Sequence, residues 1–151
     1  MQKDINDILF HEGEYREHYF QAISPPIIQS SNFAFPSLPK LREMLANEMD
    51  NYVYSRGNIP TVAILRKMLA ALAGAEDALL FGSGSAAVAA AVLSQVQTGD
   101  HIICVDKPYS RTNSLMTKWL TRFQVKTTFV DAKKVENIEK AIQDNTKLLL
   151  L

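Results

Sequence analysis

Ala78-Leu79-Leu80-Phe81-Gly82-Ser83-Gly84-Ser85-Ala86-Ala87-Val88-Ala89-Ala90-Ala91-Val92 passes from a short apolar run, through two glycines, into an alanine-rich segment. A short apolar run bounded by glycine reads as a buried strand, and the alanines after it as a helix. The turn between them is almost bare of side chains. At a helix N-terminus the first amides have no intrahelical acceptor and the dipole end is positive, so glycine there lets a phosphate come close to the backbone. A plain strand-to-helix turn with serine caps is the alternative reading of the same residues.

Beyond this stretch, apolar runs alternate with helical segments. Helices are expected over Ala86–Val96, Ser114–Phe123 and Val135–Gln143, and strands over Ile102–Val105, Val125–Val130 and Lys147–Leu151. Together with Ala78–Phe81 these predict βαβ units with four strands. The strand runs are nearly continuous in apolar residues rather than alternating, so a parallel sheet covered by helices on both faces is expected. The closing run Leu148–Leu151 has no turn or cap after it. The chain is therefore expected to be the first part of a longer one, because a free edge of leucines invites aggregation unless covered.

Before the stretch, Val62, Leu65, Met68, Leu69 and Leu72 recur at helical spacing, with Asn58 and Pro60 as start signals and Gly74 as a stop. The first sixty residues carry Pro25, Pro26, Pro36, Pro39 and Pro60 and no sustained period. They read as an extended arm, residues 1–60, with a helical piece at Leu38–Met49, leading into a domain at 61–151. So long an irregular lead is expected to lie against the domain or another subunit.

The 151 residues are 47% hydrophobic, enough for one α/β core. Sixteen basic residues balance sixteen acidic ones, so no net field favours nucleic acid, while a few amides can still hold a small anion. Cys104 is the single cysteine and sits in an apolar run, which predicts a packed thiol in a reducing compartment. The polar start Met1–Asp7 has no apolar signal region, and no apolar run reaches 18 residues, so a soluble cytoplasmic protein without membrane contact is expected.

Which phosphate the glycine loop would hold is open from the residues alone. Gly82-x-Gly84-x-x-Ala87, with Asp106 closing the next strand, also fits the loose dinucleotide fingerprint of an NAD-binding Rossmann domain. A Walker loop is excluded, since no Gly-Lys-Ser/Thr follows. Tyr109 stands just past the C-terminal end of strand Ile102–Val105, where open α/β sheets put ligands, and either covers a flat heterocycle or packs a turn. Tyr54-Ser55-Arg56 is either a phosphate clamp or part of a solvated arm.

Tyr54-Ser55-Arg56, Pro60-Thr61-Val62, Leu65–Leu72 with Ala73-Gly74-Ala75-Glu76-Asp77-Ala78, Ser83-Gly84, and Gly99-Asp100-His101-Ile102 with Tyr109 follow one another in a telling order and spacing. In that combination the chain resembles the N-terminal part of the trans-sulfuration (cysteine and methionine metabolism) enzymes that depend on pyridoxal 5'-phosphate (PLP). These include cystathionine γ-synthases and lyases, methionine γ-lyases and O-acetylhomoserine sulfhydrylases, with cystathionine γ-synthase the expected kind here. The resemblance implies a type I PLP-enzyme fold, aspartate aminotransferase-like, with a mostly parallel sheet in its large domain. It implies that the amides of Gly84 and Ser85 bind the cofactor phosphate. Tyr109 would stack on the pyridine ring as the catalytic residue of this segment. Tyr54 and Arg56 would complete the site of a neighbouring subunit, making a homo-oligomer, typically a tetramer, necessary for activity.

The implied reaction is elimination or replacement at Cβ or Cγ of a sulfur-related amino acid. The family's Schiff-base lysine, the aspartate paired with the pyridine nitrogen and the arginine for the substrate carboxylate fall after Leu151, and Lys107 matches no family position. An inactive fragment or an interaction module of the same family is the alternative for these residues, and a metal is not expected. Three departures stand out. Ile59 occupies the place of an asparagine before Pro60-Thr61, Ser110-Arg111 replace a glycine pair, and Ser85 replaces a methionine. Arg111 is expected to face solvent.

Overall fold

The computed structural model describes residues 4–13 and 15–151. Of the polar start, Met1, Gln2 and Lys3 lie outside the described residues. The chain forms two compact units, residues 1–80 and 81–151.

In the first unit, α1 (Ile5–His11) starts where the Asp4 carboxylate accepts the Asn6 amide at 2.8 Å, and it packs on α3 (Pro60–Ala73) through the buried Ile8. The arm between them is held at a few points. Tyr15 Oη accepts from Lys67 Nζ at 2.8 Å, and the same ammonium lies 4.5 Å from the Tyr15 ring centre. Thr61 Oγ1 accepts the Ile28 amide at 2.9 Å. Residues 31–33 meet 53–55 in an antiparallel contact around Asn32 and Tyr54, closed by Phe33 N to Val53 O (3.2 Å) and Ser55 N to Ser31 O (2.9 Å). Apolar side chains between these ties stay in water, Phe20, Ile23 and Ile27 among them.

The piece expected at Leu38–Met49 is α2 (Leu38–Ala46), capped by Ser37, followed by a 3₁₀ turn at Glu48–Asp50. Helix α3 obeys its sequence signals at the end but not at the start. Gly74 closes it in the left-handed conformation at φ 64°, where glycine has no Cβ to strain. At the other end Pro60 fits the first turn, but the N-cap is Ile59, which has no side-chain acceptor to offer the free amides.

The second unit is built on a three-stranded parallel sheet of order β2-β1-β3, with β1 at His101–Val105, β2 at Lys126–Val130 and β3 at Thr146–Leu150. The parallel arrangement agrees with the sequence reading, but the expected fourth strand at Ala78–Phe81 is absent. Those residues form no regular element and have no ladder partner, and the backbone of Ala78 is spent on side chains instead: its amide on Asp77 Oδ1 (2.7 Å) and its carbonyl on Arg66 Nε (2.8 Å). A strand needs a neighbour to satisfy its amides and carbonyls. Full coverage on both faces holds only for β1, whose residues His101 to Cys104 are buried; β2 and β3 are partly exposed.

Helix α4 (Gly84–Leu93) and the helical run after β1 lie over one face of the sheet. That run opens as α5 (Ser110–Ser114), four residues earlier than expected, widens into a π turn at Leu115–Trp119 and ends in a 3₁₀ turn at Leu120–Phe123. Thr117 and Thr121 hydroxyls donate to carbonyls four residues back, at Asn113 and Thr117. The core under these helices is Val92, Ile102, Cys104, Met116, Leu120 and Val125. Cys104 is the packed thiol expected, and burial pushes its pKa up. Helix α6 (Val135–Ala141) joins β2 to β3.

His101 ties the three strands together. Its Nδ1 lies 2.8 Å from Thr146 Oγ1 on β3 and its Nε2 2.8 Å from Thr128 Oγ1 on β2, with Gln143 Nε2 3.3 Å from the same Nε2. An amide nitrogen donates, so Nε2 carries the lone pair and Nδ1 the hydrogen, given to Thr146. Removal from water lowers the imidazole pKa from 6.5.

Candidate active site

Ser83 organises the start of α4. It is the N-cap in extended conformation, its Oγ accepting the Ala86 amide at 3.2 Å and its carbonyl the Ala87 amide at 3.1 Å. The amides of Gly84 and Ser85, the first two of the helix, have no acceptor among the described residues. A Cβ built on Gly84 or on Gly82 would meet nothing within 4 Å. Neither glycine has a positive φ, so what they contribute is an uncovered backbone rather than a special turn.

Strand β1 delivers Tyr109 to the sheet's C-terminal edge, four residues past Val105. Asp106, at the strand's end, gives its amide to Val130 O (2.8 Å) and has an exposed side chain. Tyr109 is the N-cap of α5, its carbonyl accepting the Asn113 amide at 2.9 Å, and the residue is 68% exposed. Helices α4 and α5 touch, and a cavity of about 220 Å³ lies between them, lined by Ser85 and Val88 on one side and Arg111, Thr112, Leu115 and Trp119 on the other. The second residue of α4 and the second residue after Tyr109 thus share one cavity. Arg111, expected to face solvent, is exposed but lines this space; the only sequence signal for it is the charge standing where the resembled family has glycine.

Tyr54 and Arg56 lie in the first unit, next to each other. The Arg56 guanidinium is 5.6 Å from the Tyr54 ring centre and 3.6 Å from Glu48 Oε1, with 75% of its side chain exposed. Glu48 reaches it across Gly57, where a Cβ would sit 2.7 Å from the glutamate side chain. So exposed a pair contributes about 0–1 kcal/mol and leaves the guanidinium free to take another anion.

This arrangement suits a phosphate ester. Two free amides point out of a positive helix end, no Cβ blocks the approach, and the adjoining cavity contains a cation and no acid. A flat aromatic ring stands at the same sheet edge. The donor set therefore fits a phosphorylated heterocycle such as PLP.

Comparison with known proteins points the same way. Residues 6–151 match the sequence model of the family described as Cys/Met metabolism PLP-dependent enzyme. The chain is 36% identical over 141 residues to L-methionine gamma-lyase of Treponema denticola, covering 93% of this chain and 35% of that protein. It is 34% identical over 144 residues to cystathionine gamma-lyase of Bacillus subtilis, covering 95% and 36%. Among solved structures, metB from Corynebacterium glutamicum superposes with a TM-score of 0.87 at 33% identity, over 97% of this chain and 36% of that one. The chain spans about a third of the length of the relatives it matches.

Proposed function

Because the chain belongs to the Cys/Met metabolism PLP-dependent enzyme family, we propose that the complete protein eliminates or replaces a group at Cβ or Cγ of a sulfur-related amino acid, and that this segment anchors the cofactor. The observation that carries the reading is the pair of unclaimed amides at Gly84 and Ser85 on the bare N-terminus of α4. Bound PLP supplies an electron sink to the substrate carbon. This chain's residues supply binding and orientation. The Gly84 and Ser85 amides would hold the phosphate, and Tyr109, largely exposed, would cover the cofactor ring and keep water off it. Its hydroxyl would hold or pass a proton at Oη. The family match displaces the dinucleotide reading, in which Asp106 would have met a ribose.

The names of the relatives favour chemistry at the γ-carbon, two of them being γ-lyases. Replacement in the cystathionine γ-synthase direction remains our reading for the synthetic reaction. Residues 1–60 act as the arm and 61–151 as the opening of the large domain, with the cofactor-bearing lysine supplied from outside these residues. Tyr54 and Arg56 serve the site of a neighbouring subunit in a cytoplasmic homotetramer. The exposed apolar side chains of the arm, Phe20, Ile23 and Ile27, support such docking. Among the described residues no helix is long and apolar enough to cross a membrane.

The test is to add PLP to the complete protein and record its visible absorption. A bound-cofactor band that disappears on borohydride reduction is expected, together with either formation of cystathionine from an O-acylhomoserine and cysteine or release of a keto acid from methionine or cystathionine. A folded protein with no such band refutes the reading.

A further inference from the structure

Arg111 is the only charged residue in the lining of the cavity between α4 and α5. Among the described residues its guanidinium has no ion pair, hydrogen bond or aromatic ring to engage it; Trp119, which lines the same cavity, is taken by Arg122 at 5.5 Å. Val88, Leu115 and Trp119 give this cavity apolar walls, which strengthen a charge's attraction for a counter-ion relative to open water. Ser85, whose amide has no acceptor, lines the same space. A cavity with one unspent fork of N–H donors, no carboxylate and a helix N-terminus in its wall selects an oxyanion of roughly phosphate or carboxylate size.

We propose that Arg111 is an oxyanion-binding residue of this protein, gripping either the cofactor phosphate or an acidic group on the amino-acid substrate. The proposal rests on the PLP reading above and deepens it. Where the resembled family carries glycine at this place, no charge is offered, so the grip would be a property of this chain and would set its anchoring strength or its substrate preference.

The experiment uses the complete protein as wild type, Arg111→Ala and Arg111→Lys. Titrations with PLP and with pyridoxal, followed by absorbance, separate the phosphate from the ring. Values of KM for O-succinyl-L-homoserine and O-acetyl-L-homoserine separate a carboxylate-ended acyl group from a neutral one. If the phosphate is the anion, Arg111→Ala weakens PLP about ten- to a hundred-fold and leaves pyridoxal unchanged, as loss of a charge-assisted pair predicts. If the substrate acid is the anion, PLP affinity stays and KM for the succinyl ester alone rises by a similar factor. Arg111→Lys, a charge without the fork, falls between in either case. Because Arg111 is exposed, the alanine variant should fold, which an unchanged melting temperature checks. Wild-type values on all four ligands overturn the proposal while leaving the PLP reading intact. A folded wild type that binds neither PLP nor pyridoxal overturns the PLP reading, and the Arg111 proposal with it.

Discussion

Replacing His101 by alanine should cost the second unit about 3 kcal/mol. Two hydrogen bonds of 2.8 Å, to Thr128 and Thr146, are lost at about 1 kcal/mol each, and the buried ring contributes about 1 kcal/mol more by leaving water. Acid should do part of the same damage to the wild type. Protonating Nε2 sets a new N–H against the Gln143 amide, 3.3 Å away, and removes the acceptor that Thr128 uses. The folded pKa lies below the unfolded value of about 6.5, so the folded state holds the ring neutral while the unfolded chain takes up the proton first. His101's contribution is therefore complete above about pH 6.5 and is lost as the pH falls from there through the depressed folded pKa. Urea unfolding at pH 8, 7, 6 and 5 reads the slope, and nitrogen-15 spectra of the imidazole read the tautomer. The expected outcome is a fall in stability below pH 6.5 that is missing in His101→Ala, with Nδ1–H the folded tautomer. Equal slopes in the two proteins, or an imidazole that titrates in the folded state no lower than in the unfolded chain, would refute the reasoning.

Two further substitutions probe the packing and the arm. Ile59→Asn places a side-chain acceptor at the uncapped start of α3 and should add about 1 kcal/mol, seen as a higher urea midpoint at unchanged slope. Met116→Ala empties a fully buried position in the core under α4 and should cost about 2–5 kcal/mol by the same assay, with Cys104 becoming accessible to a thiol reagent that leaves the native protein unlabelled.

The parallel sheet was legible chiefly from β1, whose run Ile102–Val105 is apolar without alternation and which is buried from His101 to Cys104; β2 opens on Lys126-Thr127-Thr128 and β3 on Thr146-Lys147, so their apolar signal is confined to their second halves. Helix α3 was legible at Gly74, whose left-handed φ is a local property, and less so at Ile59, which breaks the capping rule that marks a start. The strand expected at Ala78–Phe81 fails for a non-local reason: apolarity says nothing about whether a partner strand is present, and Arg66 and Asp77 take the Ala78 backbone groups. The start of the helix after β1 was hidden because Ser110, Arg111, Thr112 and Asn113 have no apolar period, although Tyr109 caps them.

At the candidate site a bare helix N-terminus followed from the glycine loop and the alanines, while the choice of the Gly84 and Ser85 amides came only with the family resemblance. Arg111's place in the cavity followed from neither, since it depends on how α5 leans on α4.

The phosphate seat on α4 is tested most directly by following the backbone amide resonances of Gly84 and Ser85 while PLP, and separately pyridoxal, is added to the protein. Large shifts of these two amides with PLP and none with pyridoxal are predicted. Unmoved Gly84 and Ser85 resonances in a protein that has taken up PLP would contradict the account.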